Sequence, residues 1–329
     1  NLMIITKTPY RISFFGGGTD FEEYYSKYDG EVIGTTIDKY CYVSLRSLQK
    51  FFDHKYRISW SRIENVKKIS DIYHPTVKGI LNHYNLIKQG LEIHYDGDLP
   101  GNSGIGSSSC FCVGLINAFN KKYDLKFDKK RIAKEAYYIE SKVIKENVGM
   151  QDQVWAAFGG LNSIKFFKKN FVVSKIKIKK EISNNLDNNL MMFYSGKSRF
   201  SDKIEKNKKK RIQKKINHYH EIKSQVQECK KILKSGKNLH EFGLLLNEYW
   251  KYKKNLSTKV SSIQIDNIYD EALASGALGG KLLGSGGGGF MIFYVPKNKQ
   301  KKVRKKLYKL EEVKFNFSDV GSSVIFSNE

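Results

Sequence analysis

The stretch Asp98-Leu99-Pro100-Gly101-Asn102-Ser103-Gly104-Ile105-Gly106-Ser107-Ser108-Ser109 decides how the rest of this chain is read. It follows a strand-like run, Leu91 to Tyr95, and precedes a helix-like run, Cys110 to Phe119. A strand, a Gly/Ser loop and a helix start make a holder for an anion. Glycine lets the backbone come close, and free N–H groups at the helix N-terminus point at the charge with the helix dipole behind them. The spacing Gly101-x4-Gly106 imitates a Walker A loop, but Ser107 stands where Lys is required. The segment therefore reads as a phosphate loop of another kind. Taken alone, a glycine-rich turn with a serine cap is the other explanation.

Two further glycine clusters count against that explanation. One is Pro9-Tyr10-Arg11-Ile12-Ser13-Phe14-Phe15-Gly16-Gly17-Gly18-Thr19-Asp20; the other is Gly279-Gly280-Lys281-Leu282-Leu283-Gly284-Ser285-Gly286-Gly287-Gly288-Gly289-Phe290. In this order the three clusters resemble the galacto-, homoserine, mevalonate and phosphomevalonate (GHMP) kinase superfamily, from Lys7 to about Tyr294. The resemblance implies an α+β fold of two domains, an N-terminal ribosomal-protein-S5-like domain and a C-terminal ferredoxin-like domain. The polar turn Lys168-Lys169-Asn170 separates two apolar runs, so the expected domains are residues 1–168 and 169–329.

Phosphoryl transfer from ATP to a hydroxyl asks for a phosphate cradle, Mg²⁺ and a group that orients or deprotonates the nucleophile. Pro100 to Ser109 is the expected ATP-binding loop, with Asn102 to Ser109 as the cradle. Ser108 is the candidate hydroxyl near the metal; it is also a candidate helix cap. The stretch Gly149-Met150-Gln151-Asp152-Gln153 is similar to the sugar-kinase Gly-x-x-Asp-Gln, which makes Asp152 the implied acid–base residue, whereas position alone suggests a helix cap. Glu140 matches the carboxylate that binds Mg²⁺ in superfamily relatives, and with Ser108 it offers hard oxygen ligands. Arg11 matches the basic residue beside the acceptor hydroxyl, where a permanent cation neutralises transition-state charge. Gly16, Gly17 and Gly18 would admit a sugar ring, with Thr19 and Asp20 beside it and Asp20 accepting from ring hydroxyls. Gly286 and Gly287, in the last glycine loop, would close over the substrate.

Three stretches are similar to the bacterial heptose 7-phosphate kinases: Gln-Asp-Gln-x4-Phe-Gly-Gly-Leu-Asn from Gln151, Gly196-Lys197-Ser198-Arg199, and Gly-Ala-Leu-Gly-Gly-Lys-Leu-Leu-Gly-Ser from Gly276. The kinase halves of bacterial fucokinases are close cousins. The first resemblance implies transfer to the anomeric hydroxyl of D-glycero-D-manno-heptose 7-phosphate, on the route to nucleotide-activated heptose for capsule, S-layer or lipopolysaccharide. Lys197, Arg199 and Lys281 are then candidate binders of the acceptor's own phosphate. The cousins imply a neutral sugar instead.

Composition bounds these readings. The 329 residues allow two domains, and 40% hydrophobic content is far from the disordered regime. No apolar stretch is long enough to span a bilayer, and Asn1 to Ile5 lacks the features of a signal peptide; Met3 reads as a native start behind a tag remnant. A cytoplasmic protein is expected. Cys41, Cys110, Cys112 and Cys229 show no CxxC pair or zinc spacing and read as reduced, buried thiols. The net charge of +25 raises a rival: a basic nucleic-acid-binding protein with a vestigial kinase fold. Yet the excess is 50 Lys against 8 Arg, and specific nucleic-acid readers lean on Arg. The run Lys203 to Lys215 reads as a solvated helix face; a second reading is a positive field that helps draw in ATP and an anionic sugar. No nucleic-acid or membrane partner is expected; monomer and homodimer both stay open.

Period-two stretches predict strands at 3–15 and 31–48. Helices are predicted at 20–28, 75–84, 108–120, 127–145, 150–157, 203–233, 239–255 and 263–275, and further strands at 162–167, 171–177, 190–194, 292–295 and 323–326.

Overall fold

The structure, a computed structural model, describes residues 2–86, 89–168, 170–196, 204, 206, 209, 212–257 and 259–328. Among them, the strands form a nine-stranded and a four-stranded sheet. The first sheet is built on β1 (Met3–Phe15) and the long β2 (Gly30–Leu48), antiparallel from Met3↔Arg46 to Phe15↔Ile33. Burial along β1 alternates as far as Lys7 and is then continuous to Phe15. That change marks where a strand with one wet face becomes covered on both faces. Helix α1 (Glu22–Tyr28) lies between the two strands in sequence. β3 (Tyr56–Ser59) and β4 (Ile63–Val66) form one edge; after α2 (Pro75–Tyr84), β5 (Gly90–Gly97) joins them to β2.

Helix α3 (Ser107–Tyr123) follows β5 through the glycine loop. It is buried at ten positions because it lies across β1 and β2, and Gly114 allows the closest approach: a Cβ there would stand 2.9 Å from Thr8 Oγ1. The continuous helix expected at 127–145 is instead α4 (Lys129–Tyr138) followed by a widened π turn, Ile139–Val143. Such turns interrupt α-helices at functional sites, and this one carries Glu140. Then come α5 (Gln151–Phe158) and the hairpin β6 (Asn162–Phe167)–β7 (Asn170–Lys175). The hairpin corrects the expected boundary at 168/169. Phe167 pairs with Asn170 and β6 pairs with β2, so the polar turn lies within one sheet. The apolar runs on either side of it are paired strands.

The second sheet has the order β11 (Glu311–Val313), β8 (Leu190–Tyr194), β10 (Phe290–Tyr294), β9 (Gly279–Leu282). Around it lie α6 (Lys180–Asn188), α8 (His240–Lys254), α9 (Ile263–Ala274) and α10 (Lys297–Lys306), while α7 (Ile216–Ser235) packs on α8 and the first sheet. Helices α7 and α8 reach the first sheet. Phe242 and Tyr249 of α8 meet Phe14 and Phe15 edge-on at 5.2–5.4 Å between ring centres. The chain then returns: β12 (Phe317–Ser318) pairs with β2 and β13 (Ser323–Ser327) with β1. Of the basic helix expected from Lys203, the structure describes α7 from Ile216. No described helix is long and apolar enough to cross a membrane.

Candidate active site

A cavity of about 190 Å³ lies between the layers, where β1, the β5–α3 loop, the start of α5 and the end of β9 converge. The loop is shaped by backbone that favours glycine: φ is +84° at Gly104 and +79° at Gly106. Gly106 is the residue before the first turn of α3, and no side chain caps that helix. Its leading N–H groups are therefore left for an anion. Asn102, Gly104, Gly106 and the serines 107–109 line the cavity. Pro100, Gly101, Ser103 and Ile105 do not. Ser103 is buried and donates its hydroxyl to the Pro100 carbonyl (2.5 Å), and the Ile105 carbonyl accepts from the Arg11 N–H (3.2 Å).

Ser108 does not act as a side-chain cap. Its Oγ donates to Glu140 Oε1 at 2.9 Å, while Glu140 Oε2 accepts from Ser109 Oγ (2.8 Å) and Gln153 Nε2 (2.5 Å). Glu140 is fully buried. Burial, helped by the nearby Glu146 charge, pushes its carboxyl up to about 7 against the pull of those three hydrogen bonds. Ser108 faces the cavity with the carboxylate directly behind it, a hard-oxygen pair suited to an ion that takes few protein ligands and fills the rest with phosphate and water. No group of three or more His, Cys, Asp or Glu with metal-site geometry occurs among the described residues.

Arg11, 4% exposed, grips Asp152 in a fork: Nε donates to Oδ1 at 2.8 Å and Nη2 to Oδ2 at 2.7 Å. Its Nη1 donates to the Gly104 carbonyl at 2.6 Å. Asp152 lies in the first turn of α5 but makes no cap bond there, so it is not the helix cap that its position suggested.

Several expected substrate residues have other duties. Gly17 and Gly18 line the cavity, whereas Gly16 and Thr19 do not. The Thr19 hydroxyl is held between the Gly16 and Glu31 carbonyls (2.8 and 2.9 Å) and braces the turn. Asp20 lines the cavity, is 2% exposed and accepts from the backbone N–H of Gly18 (2.8 Å) and Gln151 (3.3 Å), which also ties the glycine turn to α5. Of the last glycine loop, Gly284, Ser285 and Gly288 reach the cavity; Gly286 and Gly287 do not, because they pack on Val260, whose carbonyl accepts from the Gly287 N–H at 3.1 Å. Lys281 faces the cavity, but its ammonium donates to the Ser13 and Phe14 carbonyls (2.7 and 2.8 Å) and lies 4.4 Å over the Tyr249 ring. Lys197 and Arg199 fall outside the described residues.

Sequence reasoning passed over Ser13, whose Oγ donates to Gln151 Oε1 at 2.8 Å beside Asp152, and also Tyr249 and Lys253. The last two had a signal: Tyr249-x3-Lys253 sets a lysine on the buried stripe of an amphipathic helix, where a charge is out of place.

An aspartate oriented by arginine, set beside a helix N-terminus at the wall of a cavity, suits transfer of a phosphoryl group to a small hydroxyl compound. Fold and site thus define a small-molecule kinase. The GHMP kinases N terminal domain matches residues 71–160, and the GHMP kinases C terminal domain matches residues 226–311. The D-glycero-alpha-D-manno-heptose 7-phosphate kinase of Campylobacter jejuni is 32% identical, over 96% of each chain. The galactokinase of Pyrococcus furiosus is 25% identical over 91% of each. A crystal structure described as a D-glycero-D-manno-heptose 1-phosphate kinase, from Bacteroides thetaiotaomicron, matches with a TM-score of 0.80 at 26% identity over 98% of each chain. The chain belongs to the GHMP kinase family: it is a sugar kinase, a phosphotransferase that uses ATP.

Proposed function

We propose that this kinase phosphorylates the anomeric hydroxyl of D-glycero-D-manno-heptose 7-phosphate, giving the 1,7-bisphosphate and ADP on the way to nucleotide-activated heptose. The observation that carries the chemistry is the Arg11–Asp152 fork anchored on Gly104 of the phosphate loop. The heptose 7-phosphate kinase of C. jejuni supports the choice of acceptor. N–H groups at the start of α3 hold the phosphate oxygens of ATP. Asp152, oriented by Arg11, takes the proton of the acceptor hydroxyl as its oxygen bonds the γ-phosphorus and the bond from that phosphorus to the β-phosphate oxygen breaks. Ser108, backed by Glu140, would hold a magnesium ion, which neutralises charge on the phosphates.

A second reading has one observation behind it. The Lys281 ammonium is engaged by two carbonyls, which suits a neutral, fucose-like sugar as well as a phosphorylated one. In our reading Lys197 and Arg199 are the cations that meet the acceptor's own phosphate. A coupled ADP-release assay over heptose 7-phosphate, the free heptose, fucose and galactose separates the two. Heptose 7-phosphate should give the highest kcat/KM. Arg199→Ala should raise its KM about ten- to a hundredfold, as the loss of a charged hydrogen bond does, with KM for ATP unmoved. Preference for fucose and a silent Arg199→Ala would replace the phosphorylated acceptor with a neutral one.

A further inference from the structure

Arg11 and Asp152 sit where the two layers meet, and two buried lysines hold that junction from the second layer. Lys281, on β9, is 2% exposed, and its Nζ crosses to the carbonyls of Ser13 and Phe14. Lys253, in the last turn of α8, is 5% exposed and donates to the carbonyls of Leu282 (2.7 Å) and Gly284 (2.8 Å). Burying an ammonium is costly unless its donors are satisfied. A leucine or methionine would fill either position without that cost, so packing does not explain these lysines.

The carbonyls they hold suggest another explanation. Ser13 and Phe14 follow Arg11 on β1, and Ser13 Oγ also bonds Gln151, the neighbour of Asp152. Gly284 lies against Gly104: a Cβ on Gly104 would stand 2.5 Å from the Leu283 oxygen, and one on Gly284 would stand 2.4 Å from the Gly104 Cα. The Gly104 carbonyl is the third acceptor of Arg11. Lys281 thus grips the strand that carries Arg11, and Lys253 grips the segment that backs the loop on which Arg11 rests. We infer that Lys253 and Lys281 are positioning residues for phosphoryl transfer: their ammonium–carbonyl bonds hold β1 and the phosphate loop against the end of β9 and so set the Arg11–Asp152 fork. This rests on the reading of Asp152 as the group that meets the acceptor hydroxyl.

The test uses the full chain, ATP and whichever acceptor of the panel is turned over fastest. Lys281→Met and Lys253→Met keep the stem and remove the N–H donors. Each should lower kcat about 10- to 100-fold, the scale of a small misplacement at a reacting centre, with acceptor KM changed less than about threefold. Adding ethylammonium to Lys281→Ala should restore turnover, whereas tetramethylammonium, which has no N–H, should not. In an Asp152→Asn background, Lys281→Met should change kcat by less than about twofold, because residues that act through one another are not additive. Three results overturn the proposal: a folded Lys281→Met and Lys253→Met with wild-type kcat, a lowered melting temperature alone, or a raised acceptor KM at constant kcat. If the Lys281 variants do not fold, Lys253→Met decides by the same kcat criterion. High turnover by Asp152→Asn would sink the Asp152 reading itself, and that result is scored separately from the lysines.

Discussion

Asn in place of Asp152 would keep the volume of the side chain and remove the charge that Arg11 grips with two N–H groups. One oxygen would remain to accept from Arg11, and the phosphate loop would keep its own anchor through Gly104. Turnover should therefore collapse while ATP binding survives. Proton transfer and positioning by such a group are worth about 100- to 10,000-fold, so Asp152→Asn should lower kcat within that range in the ADP-release assay. A variant within about threefold of wild type lies outside that range and would remove Asp152 from the reaction. Ser108 and Ser109 both turn their hydroxyls to the buried Glu140 carboxylate rather than along their own helix.

At the scale of elements, the decisive piece is the join between β5 and α3. Gly106 holds φ at +79°, and a Cβ there would stand 3.3 Å from Asp152 Oδ2 and 3.5 Å from Arg11 Cγ. A β-branched side chain at such a φ is strained wherever it points, and here it would also press on the fork. Gly106→Val should abolish ATP binding in a titration, with circular dichroism confirming that the chain stays folded; unaltered affinity would show that another segment holds the phosphates. This join was legible in the sequence because glycine and serine placement is local chemistry. So were β1, β2 and α2, whose apolar periodicity is strong. Helices α6 and α10 were not, since each buries a single residue, Leu186 and Val303, among lysines and polar side chains. The π turn at Glu140 escaped as well: residues 127–145 carry an unbroken helical period, and the turn widens where the Glu140 side chain meets Ser108, Ser109 and Gln153, partners from distant parts of the chain.

For the molecule as a whole, the net charge is +25. Of the run from Lys203 to Lys215, Lys209 makes a half-exposed pair with Glu23 at 3.0 Å. Exposed pairs of this kind contribute about 0–1 kcal/mol, so replacing Lys208, Lys209 and Lys210 together by Gln should leave kcat/KM within about twofold at constant salt. Tight binding of DNA by the wild type that persists at ~200 mM salt and is lost in the triple variant would instead give this patch a nucleic-acid role. The two-layer arrangement also escaped the sequence at one point. The 168/169 turn looked like a border because polarity marks turns without saying whether the strands on either side stay together. The return of β13 to β1 bears on the order in which the chain is synthesised. Ile4 pairs with Ser327, and Met3 bonds Asn328 from 325 positions away. During synthesis β1 emerges before its outer neighbour, with the whole second layer made in between. Until β13 is made, that flank of β1 is a bare strand edge, open to pairing with other nascent chains and a natural target for chaperones. The sheet that carries Arg11 is thus begun before the second layer and completed after it.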